Sequence, residues 1–163
     1  LREEEDDADG RTRGEEAVPM RLQRRVEIAA DRDTVWKHVS DPTCYPEFMA
    51  NLERWDPVTE GPAGVGSRYT GHWKIGSVPV GGVIEVVEFD DARDLAWTGI
   101  TGITQRGRFR LRDGSDGRTQ VTFRMAYEAP GGVLGVIADW VSARQVGRTM
   151  TETLENLRSL TEA

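Results

Sequence analysis

From residue 52 to residue 128 the chain is a succession of short alternating segments divided by turn signals, with no helical pattern between them. Parallel strands need a crossover of a dozen or more residues, usually a helix, so this spacing restricts the region to an antiparallel meander. Six strands fit, at 52–59, 67–75, 78–89, 95–100, 104–112 and 119–128. Gly76-Ser77 suits a two-residue hairpin turn, and residues 113–117 (Asp-Gly-Ser-Asp-Gly) form an evident loop.

The meander is flanked by two different patterns. Before it, Leu22, Val26 and Ile28 alternate with Gln23, Arg25 and Glu27, a half-buried strand whose start is blurred by Arg24 on the apolar face. Asp31 stands where an N-cap would, ahead of a short helix over 33–39, and Asp41-Pro42 ends that helix because the residue before proline avoids the helical region. Tyr45, Phe48 and Met49 at helical spacing predict a second short helix over 43–51. After the meander, Val133, Ile137, Trp140, Gly147, Met150, Leu154 and Leu157 recur mostly at three- and four-residue intervals, the stripe of one long amphipathic helix over 133–160.

Within the strands, the alternation separates two faces. Gln105, Gly107, Phe109 and Leu111 oppose a row of four arginines, Arg106, Arg108, Arg110 and Arg112. Val121, Phe123, Met125 and Tyr127 oppose Thr122 and Arg124, and Tyr69, Gly71, Trp73 and Ile75 oppose Arg68, Thr70, His72 and Lys74. The aromatic faces are expected inward and the arginines toward solvent, because charged side chains are seldom buried.

Charge and composition exclude several function classes. The first twenty residues carry eight acids and three arginines, so −5 of the total −7 lies there and the remainder is close to balance. With few apolar side chains, residues 1–20 are expected to be a disordered acidic tail, and residues 21–163 the single folded domain. The acidity, and the mixed charges of the domain itself, argue against a nucleic-acid partner. One cysteine, Cys44, and two histidines, His38 and His72, leave no disulfide and no multi-thiolate metal site, so no metal and no cofactor is expected. No window approaches the ~20 apolar residues of a membrane span, and no signal peptide is visible, so the chain is read as cytoplasmic, as a monomer or homodimer.

The passage 26–36 (Val-Glu-Ile-Ala-Ala-Asp-Arg-Asp-Thr-Val-Trp), followed by 41–48 (Asp-Pro-Thr-Cys-Tyr-Pro-Glu-Phe), resembles the START-like, or SRPBCC, superfamily, most of all its bacterial polyketide cyclase/dehydrase and lipid-transport group. The resemblance covers residues 21–161. It implies an α+β helix-grip fold: a seven-stranded antiparallel sheet wrapped around a long C-terminal helix, with two short helices between strands 1 and 2. It also implies a cavity between sheet and helix that binds or transports a small hydrophobic molecule, such as a polyketide-like compound, a lipid or a quinone. Cyclase or dehydrase chemistry in the same cavity is the alternative, so enzymatic activity stays open.

The wall expected from the inward faces comprises Phe48, Tyr69, Trp73, Trp97, Phe109, Phe123, Met125, Tyr127 and Trp140. Tyr69, Arg144 or Glu85 would orient the ligand. Glu85, interrupting an apolar run, either points inward as an acid/base group or pairs with a cross-strand arginine. The aromatase/cyclase members resembled carry a cavity tyrosine after the aromatic-Pro turn and an arginine on a central strand. Here Leu52 stands near the first place, and no arginine lies between Gly71 and Asp91. No catalytic residue is assigned, and binding is placed ahead of catalysis.

Overall fold

The structure, a computed structural model, describes residues 19–128 and 143–163. Strand β1 (Met20–Ile28) leads into helix α1 (Arg32–Val39), a 3-10 turn (Pro42–Cys44) and the single-turn helix α2 (Tyr45–Phe48). Strands β2 (Leu52–Pro57), β3 (Arg68–Ile75), β4 (Val78–Asp90), β5 (Asp94–Gly99), β6 (Gln105–Asp113) and β7 (Thr119–Tyr127) follow, and helix α3 (Ala143–Glu162) closes the chain. The sheet is seven-stranded in the order β1-β7-β6-β5-β4-β3-β2, antiparallel at every pairing. This is the expected α+β helix-grip arrangement. Residues 1–18 of the acidic tail expected over 1–20, the first ten residues of the expected long helix and Trp140 lie outside the described residues, and Met20 already belongs to β1.

Local chemistry sets the element boundaries. Asp31 caps α1, its Oδ1 accepting from the Thr34 N–H at 2.8 Å. Ile75 pairs with Val78, which leaves Gly76-Ser77 as the hairpin turn, and Gly76 takes the positive φ (63°) that such a turn requires. The second helix differs from expectation: instead of one helix over 43–51 there is a 3-10 turn and then one α turn. Pro46 lacks the N–H that a helix begun at Pro42 would donate to the Pro42 carbonyl. The chain therefore tightens first, Tyr45 N–H bonding Pro42, and only then makes the α bond from Met49 N–H to Tyr45 at 2.8 Å.

The inward side chains of the sheet meet α1, α2 and α3 in one core. Ile28, Val35, Val39, Phe48, Phe109, Leu111, Val121 and Leu157 are fully or almost fully buried. The rings of Phe109 and Phe123, directly opposed on β6 and β7, stack at 4.5 Å, and Tyr45 and Phe48 of α2 meet Phe109 edge-on at 6.3 and 6.2 Å. Tyr45 anchors this corner by donating its hydroxyl to the Val39 carbonyl at 2.8 Å, and burial raises its phenol pKa above the ordinary range.

The outer sheet face carries the arginine row as expected, but held in place. Asp94 is buried and sits between Arg110 at 3.1 Å, Arg112 at 3.0 Å and Arg108 at 3.9 Å, while Arg108 also reaches Glu88. Burial works to raise the Asp94 pKa; hydrogen bonds from Arg112 and Arg110, with their charges, outweigh it and hold the carboxyl below its usual range.

Candidate functional site

Along β6 the inward side chains run Leu111, Phe109, Gly107, Gln105, and the core changes character along the same line. Leu111 and Phe109 pair with Val121 and Phe123 and are packed tight; Gly107 and Gln105 pair with Met125 and Tyr127 beside open space. That space encloses about 90 Å³ accessible to the centre of a water molecule. The sheet wall is made by Trp73 and Ile75 of β3, Val80 of β4, Trp97 of β5, Gln105, and Phe123, Met125 and Tyr127 of β7, with Ile103 from the loop before β6. The opposite wall is α3, through Val146, Thr149, Met150 and Thr153, completed by Met49 and Ala50 after α2.

Two glycines shape the sheet wall. Trp97 lies across Gly107, its cross-strand partner: a Cβ built at Gly107 would come within 2.0 Å of the indole Cζ2. On β3, Trp73 folds back over Gly71, where a Cβ would meet its ring at 2.4 Å. Large flat rings can lie against the sheet only because those two positions carry no side chain. Trp97 then contacts Phe109 and Phe123, with ring centres 5.7 and 6.1 Å apart.

The polar groups on the wall are few. Thr153 is fully buried, and its Oγ1 accepts the Ala50 N–H at 3.0 Å, which ties the turn after α2 to α3. Gln105 and Thr149 add an amide and a hydroxyl. Burial raises the Tyr127 phenol pKa, so this group stays protonated at neutral pH. The indole N–H groups of Trp97 and of Trp55 are buried and have no acceptor among the described residues. Among the described residues the wall holds no Asp, Glu, His, Lys or Arg.

The structure brings five of the expected residues onto this wall: Trp73, Trp97, Phe123, Met125 and Tyr127. Phe48 and Phe109 are buried beside it in the packed core, and Tyr69 stacks on Trp55 at 5.1 Å, away from the cavity, its pKa raised first by burial. Glu85 does not point inward. Its neighbours Ile84 and Val86 take the core side, so Glu85 faces outward and pairs with Arg68 at 2.6 Å, the cross-strand alternative. Arg144 is exposed on α3, in a surface groove with Arg24 and Arg148.

Sequence reasoning put Gln105 on the inward face without naming it for the wall, and missed Ile103, Val80 and the α3 residues Val146, Thr149 and Thr153. The helical positions share one face at i, i+3, i+4 and i+7 with Met150, a spacing visible in the sequence; Ile103 sits in a loop and carries no periodic signal.

The sequence model of the family described as "Polyketide cyclase / dehydrase and lipid transport" matches residues 19–162. Comparison with curated proteins gives no match. Among solved structures, a protein of Thermus thermophilus is similar over 87% of this chain and 97% of its own, with a TM-score of 0.75 at 15% identity. The Zhui aromatase/cyclase from Streptomyces sp. R1128 is similar over 89% and 94%, with a TM-score of 0.72 at 19% identity. A START superfamily protein from Mycobacterium smegmatis is similar over 87% and 94%, with a TM-score of 0.64 at 18% identity. At these identities the structures establish the shared fold, and the sequence match establishes the rest: the chain belongs to the polyketide cyclase/dehydrase and lipid transport family.

Proposed function

We propose that this protein binds a small hydrophobic molecule carrying a carbonyl oxygen, of the polyketide or quinone kind, between the sheet and α3. The observation that carries the reading is the wall itself: aromatic and aliphatic over most of its extent, with Gln105, Thr149 and Tyr127 as its few polar groups. Buried indole donors ordinarily find an acceptor, and leaving one unmade costs about 1–3 kcal/mol. Gln105, whose amide lies on the wall, offers a donor to a ligand carbonyl, and the Trp97 N–H, covered in this structure, would reach one only after the indole turns. The absence of acidic or basic side chains among the described wall residues favours holding over acid/base chemistry.

The test is titration of purified protein with an apolar fluorescent probe and with a simple naphthoquinone, following tryptophan quenching. Saturable one-site binding at micromolar protein, lost on Trp97→Ala, is expected. No saturation with either ligand refutes the proposal.

Family membership keeps a cyclase or dehydrase in view. On this wall that chemistry would run through the Tyr127 phenol as proton donor, the one titratable group placed there among the described residues. It predicts turnover lost in Tyr127→Phe with probe affinity retained; unchanged turnover removes that mechanism.

A further inference from the structure

The chain has one cysteine and two histidines, and the fold brings the cysteine and one of the histidines together. His38 lies in the last turn of α1, Cys44 ends the 3-10 turn and Glu47 belongs to α2. One ligand atom from each, imidazole nitrogen, Sγ and carboxylate oxygen, lies within 4.8 Å of the other two. His38 and Cys44 are half-buried, Glu47 exposed. Among the described residues neither the imidazole nor the Glu47 carboxylate has a hydrogen-bond or ion-pair partner, whereas Sγ faces Asp41 Oδ2 at 3.7 Å.

Three unlike donors that converge without bonding one another leave a common point between them. Zinc binds thiolate at about 2.3 Å and imidazole or carboxylate at about 2.0–2.2 Å, which sets neighbouring donors roughly 3.5 Å apart in a tetrahedron. Closing from 4.8 Å asks for a shift of about an ångström, within the freedom of an exposed glutamate rotamer. The charges also match. A thiolate, a carboxylate and a neutral imidazole carry −2 together, which a divalent ion balances, and the Asp41 carboxylate beside Sγ adds to the negative field that draws a cation in. The thiol proton leaves to solvent as the metal–sulfur bond forms, and a water would complete the tetrahedron.

We propose that His38, Cys44 and Glu47 form a zinc-binding site that clamps α1 to α2. The clamp bears on the cavity through the backbone, because α2 runs directly into Met49 and Ala50 on the cavity wall.

The full chain, stripped of metal with a chelator, reduced and freed of reductant, is titrated with Co²⁺. The expected result is a thiolate-to-cobalt charge-transfer band with the visible bands of a tetrahedral ion, saturating at one equivalent and bleached by Zn²⁺. Cys44→Ser removes the charge-transfer band. His38→Gln and Glu47→Gln each weaken binding at least about tenfold, while His72→Gln leaves it unchanged. Far-ultraviolet circular dichroism verifies that each variant is folded. Absence of the thiolate band in the folded native chain overturns the proposal, as does a band retained at full affinity in both His38→Gln and Glu47→Gln.

Discussion

Replacing Gly107 with alanine adds one methyl group at the place where the wall is closest. The new Cβ would stand 2.0 Å from Trp97 Cζ2 and 2.3 Å from Cε2, against a contact distance of about 3.5–4.0 Å for carbon pairs. The indole must therefore retreat by about 1.5 Å. Phe109 and Phe123 brace it on the packed side, so the retreat leads into the cavity. Overpacking of this kind costs about 1–3 kcal/mol, equivalent to a Tm lower by about 3–10 °C for a domain of this size. Probe affinity should fall by about tenfold or more, since the ring now occupies ligand space and its N–H is re-aimed. Thermal unfolding by circular dichroism and the tryptophan-quenching titration measure the two effects separately. Gly64→Ala is the control: a Cβ there meets nothing within 4 Å, and it should leave both readings in place. A Gly107→Ala protein with unchanged Tm and unchanged probe affinity would refute the account of the wall.

The other perturbations separate fold from site. Thr153→Val keeps shape but strands the Ala50 N–H; a loss of about 1–3 kcal/mol is expected, read as a lower urea midpoint at constant m. Asp94→Asn should cost about 2–3 kcal/mol at neutral pH, because three arginines lose their shared anion. The folded-state pKa of Asp94 is depressed, so its contribution is fully present above the unfolded value of about 3.9 and is lost as pH falls through the folded one. The stability gap between Asp94→Asn and the parent protein should therefore close below about pH 4, and acid titrations followed by circular dichroism check the sign. Glu85→Gln breaks only a half-exposed pair with Arg68, so a change within about 1 kcal/mol and an unaltered probe affinity are expected; a marked loss of binding would put Glu85 back among the site residues.

Period-two alternation carried most of the fold's signal. It assigned the inward faces of β3, β6 and β7, and the same rule, followed strictly between Ile84 and Val86, turns Glu85 outward. Propensity carried less around Pro46, where a missing backbone donor divides an apparently continuous helical spacing. Asp94 was invisible because its role comes from three arginines on the next strand, a register that no local window contains. Gly71 and Gly107 were placed on the correct face, yet their purpose depends on which ring lies over each: a ring two residues along β3 for Gly71, a ring across the β5–β6 pairing for Gly107.

The cavity arises by subtraction, and that explains why it is apolar without being collapsed. Where α1 and α2 cover the sheet, Val35, Tyr45 and Phe48 meet Phe109 and Leu111, and large side chains on both layers fill the gap. Past the Phe109–Phe123 pair the facing residues shrink to Gly107 and Gly71 on the sheet and to Ala50, Thr149 and Thr153 opposite. Collapse there would require α3 to approach the sheet. At one end α3 is fixed by Leu154 and Leu157, buried in the core; at the other, Trp73 and Trp97, lying over their glycines, thicken the sheet wall that faces it across the cavity. The indoles are thus much of the bulk between the layers, and removing Trp97 should do more than enlarge the pocket. A single large-to-small change of this kind costs about 3–5 kcal/mol, and part of that loss returns as α3 settles inward over the smaller side chain. Trp97→Ala should accordingly destabilise toward the lower end of that range and still fail to bind the probe, whereas a rigid enlarged cavity would bind bulkier probes more tightly. Titration of the variant with probes of increasing ring number decides between the two.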